Sequence, residues 1–230
     1  MKRVFFLYLL VHISGWAMSQ AELVTTSSND NLTNSMSSSK QYLLPDFANG
    51  TVYYKNTQTG SAKMNYNIVL GEMQFMTSDQ KVMSLDNVSE VKEVIIGDRK
   101  FYPVSGEEFA EVLDYGNVQL LVNKKYEFSP HGKKTAYGGY SSTSSITNYG
   151  NIESGSRSLA LSTDELLLAK IGVSYYLVLN NKRTAIKTLQ AVYKQFSKNK
   201  AEVEKFVKEN NIKITDEDGM KSLVKYCSTL

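Results

Sequence analysis

Residues 63–76, KMNYNIVLGEMQFM, alternate apolar and polar side chains on both sides of a Leu70-Gly71 pair. Apolar residues at every second position are typical of a strand that buries one face, because successive side chains point to opposite sides of a sheet. Glycine readily adopts the positive φ that a tight reversal needs. The pattern therefore predicts an antiparallel β-hairpin, which is the clearest structural signal in the chain. Its apolar positions are Met64, Tyr66, Ile68, Met73 and Phe75.

Similar short runs continue as far as residue 180, with turn residues at intervals of about ten positions. Gly97-Asp98 is one such turn, and Asn180-Asn181 ends the last predicted strand. Short strands with regular turns favour an antiparallel sheet that curls or folds on itself. Residues 166–171 fit either a strand or a helix, because the Ser-Thr-Asp sequence at residues 162–164 could also cap a helix.

The hydrophobic period changes in the last part of the chain, where apolar residues recur at spacings of three and four. This spacing is typical of amphipathic helices. Breaks at residues 197–200 and 210–211 divide the region into three short helices. Each helix alone would bury little apolar surface, so we expect all three to pack on the sheet. The apolar positions of the first predicted helix are Ala185, Ile186, Leu189, Val192, Tyr193 and Phe196.

Together these patterns predict an α+β protein with a sheet before a helical segment. Residues 43–180 are expected to form a curved antiparallel β-meander, as a sandwich or half-barrel, with an insertion at residues 129–158. Residues 181–230 form the C-terminal helical segment packed on the sheet. Residues 20–42 are rich in Ser, Thr and Asn, and we predict that they form a flexible polar leader.

Residues 1–19 have the form of a secretory signal peptide. Lys2 and Arg3 precede a short apolar run, and small residues precede a cleavage point after Ser19. The run is shorter than the roughly 20 apolar residues that a spanning helix needs, and no later stretch could span a membrane. No cysteine lies near the cleavage point, so a lipid anchor on an N-terminal Cys is not expected. The sequence therefore predicts export to the periplasm or the cell exterior.

Cleavage at this point leaves 24 basic and 23 acidic side chains, a balance that gives no indication of a nucleic-acid partner.

Cys227 is the one cysteine, so no internal disulfide can form. We expect it to be a packing residue, the alternative being a reactive thiol. His131 is the one histidine after the signal, and the sequence predicts no cofactor, no metal site and no serine-hydrolase triad.

The insertion at residues 129–158 contains 16 Ser, Thr or Gly residues, more than half of its length. A loop this long is usually either functional or disordered. Tyr137, Tyr140 and Tyr149 are spaced along it, and a polar loop offers these rings little core. Aromatic rings of this kind can stack on sugars or on a partner protein, or they can pack back over the sheet as a lid. These three tyrosines are the candidate binding residues, and the sequence leaves both alternatives open.

Three segments carry a resemblance to a known family. They are GSAKMNYN…GEMQFM, IIGDRKFYPV and the tail KTLQAVYKQF–KNKAEVEKFVKENNIKITDEDGMKSLVKY. Together they resemble uncharacterised secreted proteins of the Bacteroidota cell envelope, over most of residues 47–228. The resemblance implies an exported bacterial protein, and it brings no catalytic motif with it.

The favoured function is a non-enzymatic binding or structural role in the bacterial envelope, with an envelope protein or a glycan as partner. The alternative is a hydrolase that acts on envelope glycans through two carboxylates, which needs only two acids at a suitable separation. Glu107, Glu108 and Glu111 form the densest acidic group of the sheet region, and a solvated strand edge is the simpler interpretation. The lysines of the tail alternate with acids, as on any solvated helix face. The sequence does not define the oligomeric state.

If residues 1–19 are removed on export, the mature chain begins at Gln20 and lacks Trp16, the single tryptophan. Protein recovered from the periplasm or the medium should then have the mass of residues 20–230 and show tyrosine fluorescence only. Intact-mass and emission spectra measure both properties. A tryptophan emission band from the exported protein would contradict the cleavage prediction.

Overall fold

A computed structural model describes residues 21–26, 35–134, 140–141 and 165–230. In these ranges the chain forms one open antiparallel sheet of twelve strands, with α-helices after it at the C-terminal end. The predicted α+β class is therefore confirmed. The strands are β1 Glu22–Thr26, β2 Ala48–Tyr54, β3 Thr59–Asn67, β4 Glu72–Met76, β5 Val82–Ser84, β6 Val91–Ile96, β7 Arg99–Ser105, β8 Glu108–Asp114, β9 Val118–Lys134, β10 Tyr140–Ser141, β11 Glu165–Leu179 and β12 Lys182–Ile186. The α-helices are α1 Ser38–Gln41, α2 Leu189–Gln195, α3 Lys200–Glu209 and α4 Glu217–Cys227.

The strand order across the sheet is β1-β11-β9-β8-β7-β6-β2-β3-β4-β5. Most neighbours are consecutive in the chain, as in a meander, but β2 lies between β3 and β6, and β1 pairs with β11. Strands β1 and β12 both pair with the edge of β11 that faces away from β9, β1 at residues 165–169 and β12 at residues 175–179. The short β10 pairs with the end of β9. The sheet therefore consists of two consecutive runs, β2–β5 and β6–β12, which are joined where β2 pairs with β6.

In the half that contains β2–β8, the sheet curls around its own hydrophobic core. The loop between β3 and β4 returns to β9, where Tyr126 donates a backbone hydrogen bond of 2.8 Å to the carbonyl of Ile68. Tyr66 reaches the same strand through its hydroxyl, which accepts a hydrogen bond of 3.1 Å from the Asn123 amide. These contacts hold the curl in place. Its large buried side chains are Met64, Tyr66, Met73, Ile96, Phe101 and Phe109.

The helices form a second core on the same face of the sheet. Leu120 pairs with Leu177 and Tyr126 pairs with Ile171, and the even spacing along β9 puts both pairs on one face. The first pair packs under the helices, whereas the second packs against the core of the curl. The buried side chains of the helical core are Val118, Leu120, Val122, Tyr175, Leu177 and Ile186 from the strands, and Val192, Tyr193, Val203, Val207, Ile212, Met220, Leu223, Val224 and Cys227 from the C-terminal segment.

The hairpin at residues 63–76 forms as predicted, as β3 and β4, with Gly71 at a φ of 77° in the turn. The expectation that only one of its faces is buried is wrong. The polar side chains that alternate with the apolar ones are buried as well: Asn65, Asn67, Glu72 and Gln74.

The segment between α1 and β2 covers this polar face. Asn65 accepts a hydrogen bond of 3.0 Å from the Leu44 N–H and donates one of 2.9 Å to the Leu44 carbonyl. Tyr42 donates to the side-chain oxygen of Gln74 at 2.9 Å. A buried polar side chain costs free energy unless it is hydrogen-bonded, and the covering segment supplies partners for these two. Four polar residues of the alternation therefore face protein rather than water, whereas Lys63 at its start is exposed.

Part of the predicted leader is a strand. Strand β1 pairs with residues 165–169 of β11, and Val24 is buried there beside Leu167. A single buried apolar side chain is sufficient here, because the strand adds to an edge that already exists. Residues 27–34 of the predicted leader lie outside the described residues.

The first C-terminal helix is shorter than predicted, because Ala185 and Ile186 belong to strand β12. Asn180 and Asn181 have φ values of 52° and 60°. Two successive residues with positive φ are typical of the type I′ turn of a two-residue hairpin. The chain therefore pairs back on β11 before helix α2 begins at Leu189.

Leu223 of α4 is fully buried between the helices and the sheet. We expect Leu223→Ala to lower the free energy of unfolding by about 2–5 kcal/mol, because it removes buried methyl groups and leaves a cavity. Denaturant unfolding followed by circular dichroism measures the change. Lys225→Ala, on the exposed side of the same helix, is the control and should change it by less than about 0.5 kcal/mol. An equal response of the two variants would contradict the packing described for α4.

Candidate functional site

The candidate binding tyrosines lie in the connection between β9 and β11. Tyr137 and Tyr149 are outside the described residues. Tyr140 lies in β10, where it pairs with Lys134 at the end of β9. Residues 129–134 of the predicted insertion belong to β9 itself, and residues 166–171, which fitted a strand or a helix, belong to β11. The structure therefore brings Tyr140 to the paired ends of two long strands.

A β-bulge lies just before this end of the hairpin. Leu166 pairs with Gly132 and Leu167 pairs with Pro130, so His131 is the extra residue of β9. His131 is exposed, and it lies in a strand rather than in the loop in which we expected it. A bulge bends its strand and increases the local twist. The end of the hairpin is therefore bent relative to its base.

A third hydrophobic cluster supports the hairpin below the bulge. The ring of Tyr126 stacks on Phe128 with 5.8 Å between the ring centroids. Lys40 of α1 donates to Glu22 of β1 at 2.6 Å, although this pair is largely exposed and contributes little to stability. The cluster joins β1, β11 and the β3–β4 turn, so the part of the hairpin next to the bulge is fixed from several sides. Its buried members are Val24, Met36, Val69, Leu167 and Ala169.

The three glutamates of the densest acidic group do not share a site. Glu111 accepts two hydrogen bonds from the guanidinium of Arg99, at 2.6 and 2.7 Å. Glu108 accepts one of 2.8 Å from Lys125 of β9. Glu107 lies in the turn between β7 and β8 and has a different neighbour. Each carboxylate is directed to its own partner and is partly buried, so the solvated strand edge that we expected is not what the structure has.

The neighbour of Glu107 is Glu72, at the start of β4. Glu72 is buried, and its carboxylate accepts a hydrogen bond of 2.5 Å from the Ser84 hydroxyl. Partial burial, followed by the charge and hydrogen bond of Glu72 and then the charge of Asp86, raises the pKa of Glu107 above its ordinary value. A neighbouring negative charge disfavours the ionised form of a carboxyl group, which is why the charge of Glu72 raises the pKa of Glu107. This contact joins β4 to the β7–β8 turn across the curl.

A second charged group, which the sequence patterns did not indicate, joins α4 to the sheet. Glu217 in the first turn of α4 accepts hydrogen bonds from Lys124 of β9 at 2.8 Å and from Lys221 at 2.7 Å. Burial alone would raise the pKa of Glu217, but the two ammonium groups outweigh it and lower the pKa below its ordinary value. The Glu217–Lys221 spacing is visible in the sequence, whereas Lys124 lies on a distant strand.

Cys227 is buried in the helical core, and this burial raises the pKa of its thiol to about 12. Thiols react as thiolates, which a pKa this high disfavours at neutral pH. The environment agrees with a packing residue rather than a reactive thiol.

A shallow groove of about 490 Å³ is lined by residues of β2, β3 and the end of β6. Its polar lining includes Asn49, Thr51, Ser61 and Lys63. The hydroxyls of Thr51 and Ser61 are hydrogen-bonded to each other at 3.1 Å, so part of the polar lining is already satisfied internally. The groove offers hydroxyl and amide groups without an aromatic platform among its lining residues.

Among the residues that the structure describes, no group of three or more His, Cys, Asp or Glu side chains could hold a metal ion. No helix in the described part of the chain combines the length and the apolar character needed to cross a membrane. The predicted signal peptide lies outside the described residues.

No family model matches the chain, and neither a curated protein nor a solved structure matches it. Any function must therefore be argued from the residues themselves.

The lowered pKa of Glu217 predicts a pH-dependent contribution to stability. This contribution is present above the unfolded-state pKa of about 4.5 and is lost as the pH falls through the lower folded-state value. We expect Glu217→Gln to lower the free energy of unfolding by about 1–2 kcal/mol at pH 7, and by progressively less as the pH falls from about 5 towards 3. Urea unfolding across this pH range measures the difference.

The control for this experiment is Asp218→Asn. Asp218 is 93% exposed and lies 3.5 Å from the same Lys221, so its removal should change stability by less than about 0.5 kcal/mol at any pH. A difference between Glu217→Gln and the unmodified protein that stays constant with pH would contradict the prediction.

Proposed function

We propose that the protein is an exported component of the bacterial cell envelope with a non-enzymatic binding or structural role, and that it contacts its partner at the end of the β9–β11 hairpin. The partner class that we propose is an envelope protein or a glycan. One observation carries the proposal: the longest paired strands of the sheet lead directly into the segment that contains the candidate tyrosines.

The β9–β11 hairpin is extensively paired along its length, as expected of a rigid scaffold for the segment that joins its strands. All 15 residues of β11 pair with β9. Strand β1 pairs with the other edge of β11 at residues 165–169, and β10 adds pairing at Lys133 and Lys134. Binding residues concentrate on loops that a rigid scaffold positions. This arrangement supports a recognition role for the segment that begins after Lys134.

The chemistry of this segment suits a partner with both apolar and polar groups. Tyr137, Tyr140 and Tyr149 each combine an aromatic ring with a hydroxyl, and tyrosine supplies large contact area with little loss of conformational entropy. Rings of this kind stack on the apolar faces of sugars and on protein surfaces alike. The exposed His131 lies in β9 three residues before Lys134, the residue that pairs with Tyr140, and adds a further hydrogen-bonding group.

The contacts of four glutamates favour binding over hydrolysis. Two-carboxylate glycosidases hold their carboxyl groups roughly 5–9.5 Å apart, on either side of the bond that is cleaved. Glu107 and Glu72 are instead in direct contact, and Glu108 and Glu111 are each paired with a basic side chain. These partners give the glutamates a structural role, so we propose a binder rather than a hydrolase.

The envelope location is part of the proposal. It is supported by the signal-like residues 1–19 and by the resemblance to secreted proteins of the Bacteroidota. The mature chain would lie in the periplasm or outside the cell, without a lipid anchor on an N-terminal Cys. Its nearly balanced charge is consistent with a partner other than nucleic acid.

Replacing Tyr137, Tyr140 and Tyr149 together by Ser tests the proposal, because it removes the three rings and keeps the length of the segment. We expect the variant to melt at the same temperature as the unmodified protein. In pull-downs from native envelope extract, it should recover about tenfold less partner, the loss expected from one aromatic anchor. Extracts treated with protease or with glycosidases distinguish a protein partner from a glycan.

The matched control replaces Ser142, Ser144 and Ser145 by Ala, which changes three positions of the same segment and keeps the tyrosines. This control should recover the partner normally. Equal recovery by the tyrosine variant would contradict the proposal. A melting temperature many degrees lower would also contradict it, because the rings would then be packed as a lid.

A further inference from the structure

Tyr175 of β11 is buried in the helical core with 2% of its surface exposed. Among the described residues, its hydroxyl has no hydrogen-bond partner. An unpartnered buried hydroxyl costs free energy, and buried polar groups without a protein partner are commonly satisfied by an ordered water. The hydroxyl therefore indicates a polar site inside an otherwise apolar core.

The strand register puts Tyr175 on the face of the sheet that packs against α4. Tyr175 pairs with Val122, so its side chain lies on the same face of the sheet as Lys124, two residues further along β9. Lys124 in turn contacts Glu217 of the first helical turn at 2.8 Å. Helix α4 has 11 residues, and Asp216 at its N-cap makes no side-chain cap hydrogen bond. The first N–H groups of a helix have no partner within it, so donors and acceptors are both available here.

We propose that the space between the Tyr175 hydroxyl and the first turn of α4 is an internal binding site for one water molecule. The water accepts a hydrogen bond from the Tyr175 hydroxyl and donates to the carboxylate of Glu217. It thereby extends the pair between Lys124 and Glu217 into a network that connects β11, β9 and α4.

The charges around the site select a neutral ligand. Three carboxylates, those of Asp216, Glu217 and Asp218, lie at the N-cap and in the first turn of α4, so an anion would be repelled. The same carboxylates, after the larger effect of burial, raise the pKa of Tyr175. A cation is already present as the ammonium of Lys124. Water, which both donates and accepts, satisfies the hydroxyl without adding charge.

Tyr175→Phe in the full mature chain tests the site, because it removes only the hydroxyl. Loss of a hydrogen-bonded network member should lower the melting temperature by about 2–4 °C. A melting temperature that is unchanged or raised would overturn the proposal, because removal of an unpartnered hydroxyl is neutral or stabilising. Differential scanning fluorimetry with an extrinsic dye measures the shift.

A high-resolution crystal structure gives an independent measurement. We expect electron density for an ordered water about 2.7–2.8 Å from the Tyr175 hydroxyl oxygen, and its absence from the Tyr175→Phe structure. An empty position, or density that requires an anion, would overturn the proposal.

The matched control for the melting experiment is Tyr226→Phe. Tyr226 of α4 is half-buried, and its ring stacks on Phe206 with 4.2 Å between the ring centroids. This stacking remains when the hydroxyl is removed. An equal fall in the melting temperature of the control would also overturn the proposal.

Discussion

The pairing of β9 with β11 is the constraint on which the rest of the structure depends. One face of this hairpin contributes Leu120 and Leu177 to the helical core and Tyr126 and Ile171 to the core of the curl. Because side chains alternate along a strand, a slip of one residue would turn both sets to the opposite face at once. The two cores are therefore not independent. A single register decides whether either of them can form.

The β3–β4 hairpin illustrates a second constraint, which is polar. Asn65 binds the backbone of the covering segment, and Asn123 donates to the Tyr66 hydroxyl and to the Phe109 carbonyl, the latter at 2.7 Å. Apolar contacts tolerate small shifts, whereas hydrogen bonds inside a protein need their partners at fixed positions, and an unmet group is costly. The apolar core thus supplies most of the stabilisation, while these amides specify which arrangement of the curl is reached.

Sequence patterns predicted the elements that local periodicity defines and missed those that depend on distant partners. The alternation at residues 63–76 identified the hairpin, but alternation cannot show whether a polar side chain faces water or another segment. The Asn180-Asn181 pair indicated a hairpin turn before β12, because two adjacent asparagines tolerate positive φ. The apolar residues of β12 also fit the helical spacing of the residues after it, so the strand was assigned to the helix. The bulge at His131 and the Lys124–Glu217 pair have no local signature, since both are created by strand pairing and helix docking.

Because Cys227 is buried, the reactivity of its thiol reports whether α4 is packed on the sheet. A thiol reagent can attack only after α4 has moved away from the sheet and the sulfur has reached water, where its pKa can return to normal. When closing is faster than the chemical reaction, the rate of modification reports the free energy of that opening at one position. The same enclosure has a consequence for a chain with a single cysteine. Disulfide-linked pairs of molecules can form only from the opened state, so the packing of the last helix also limits covalent association.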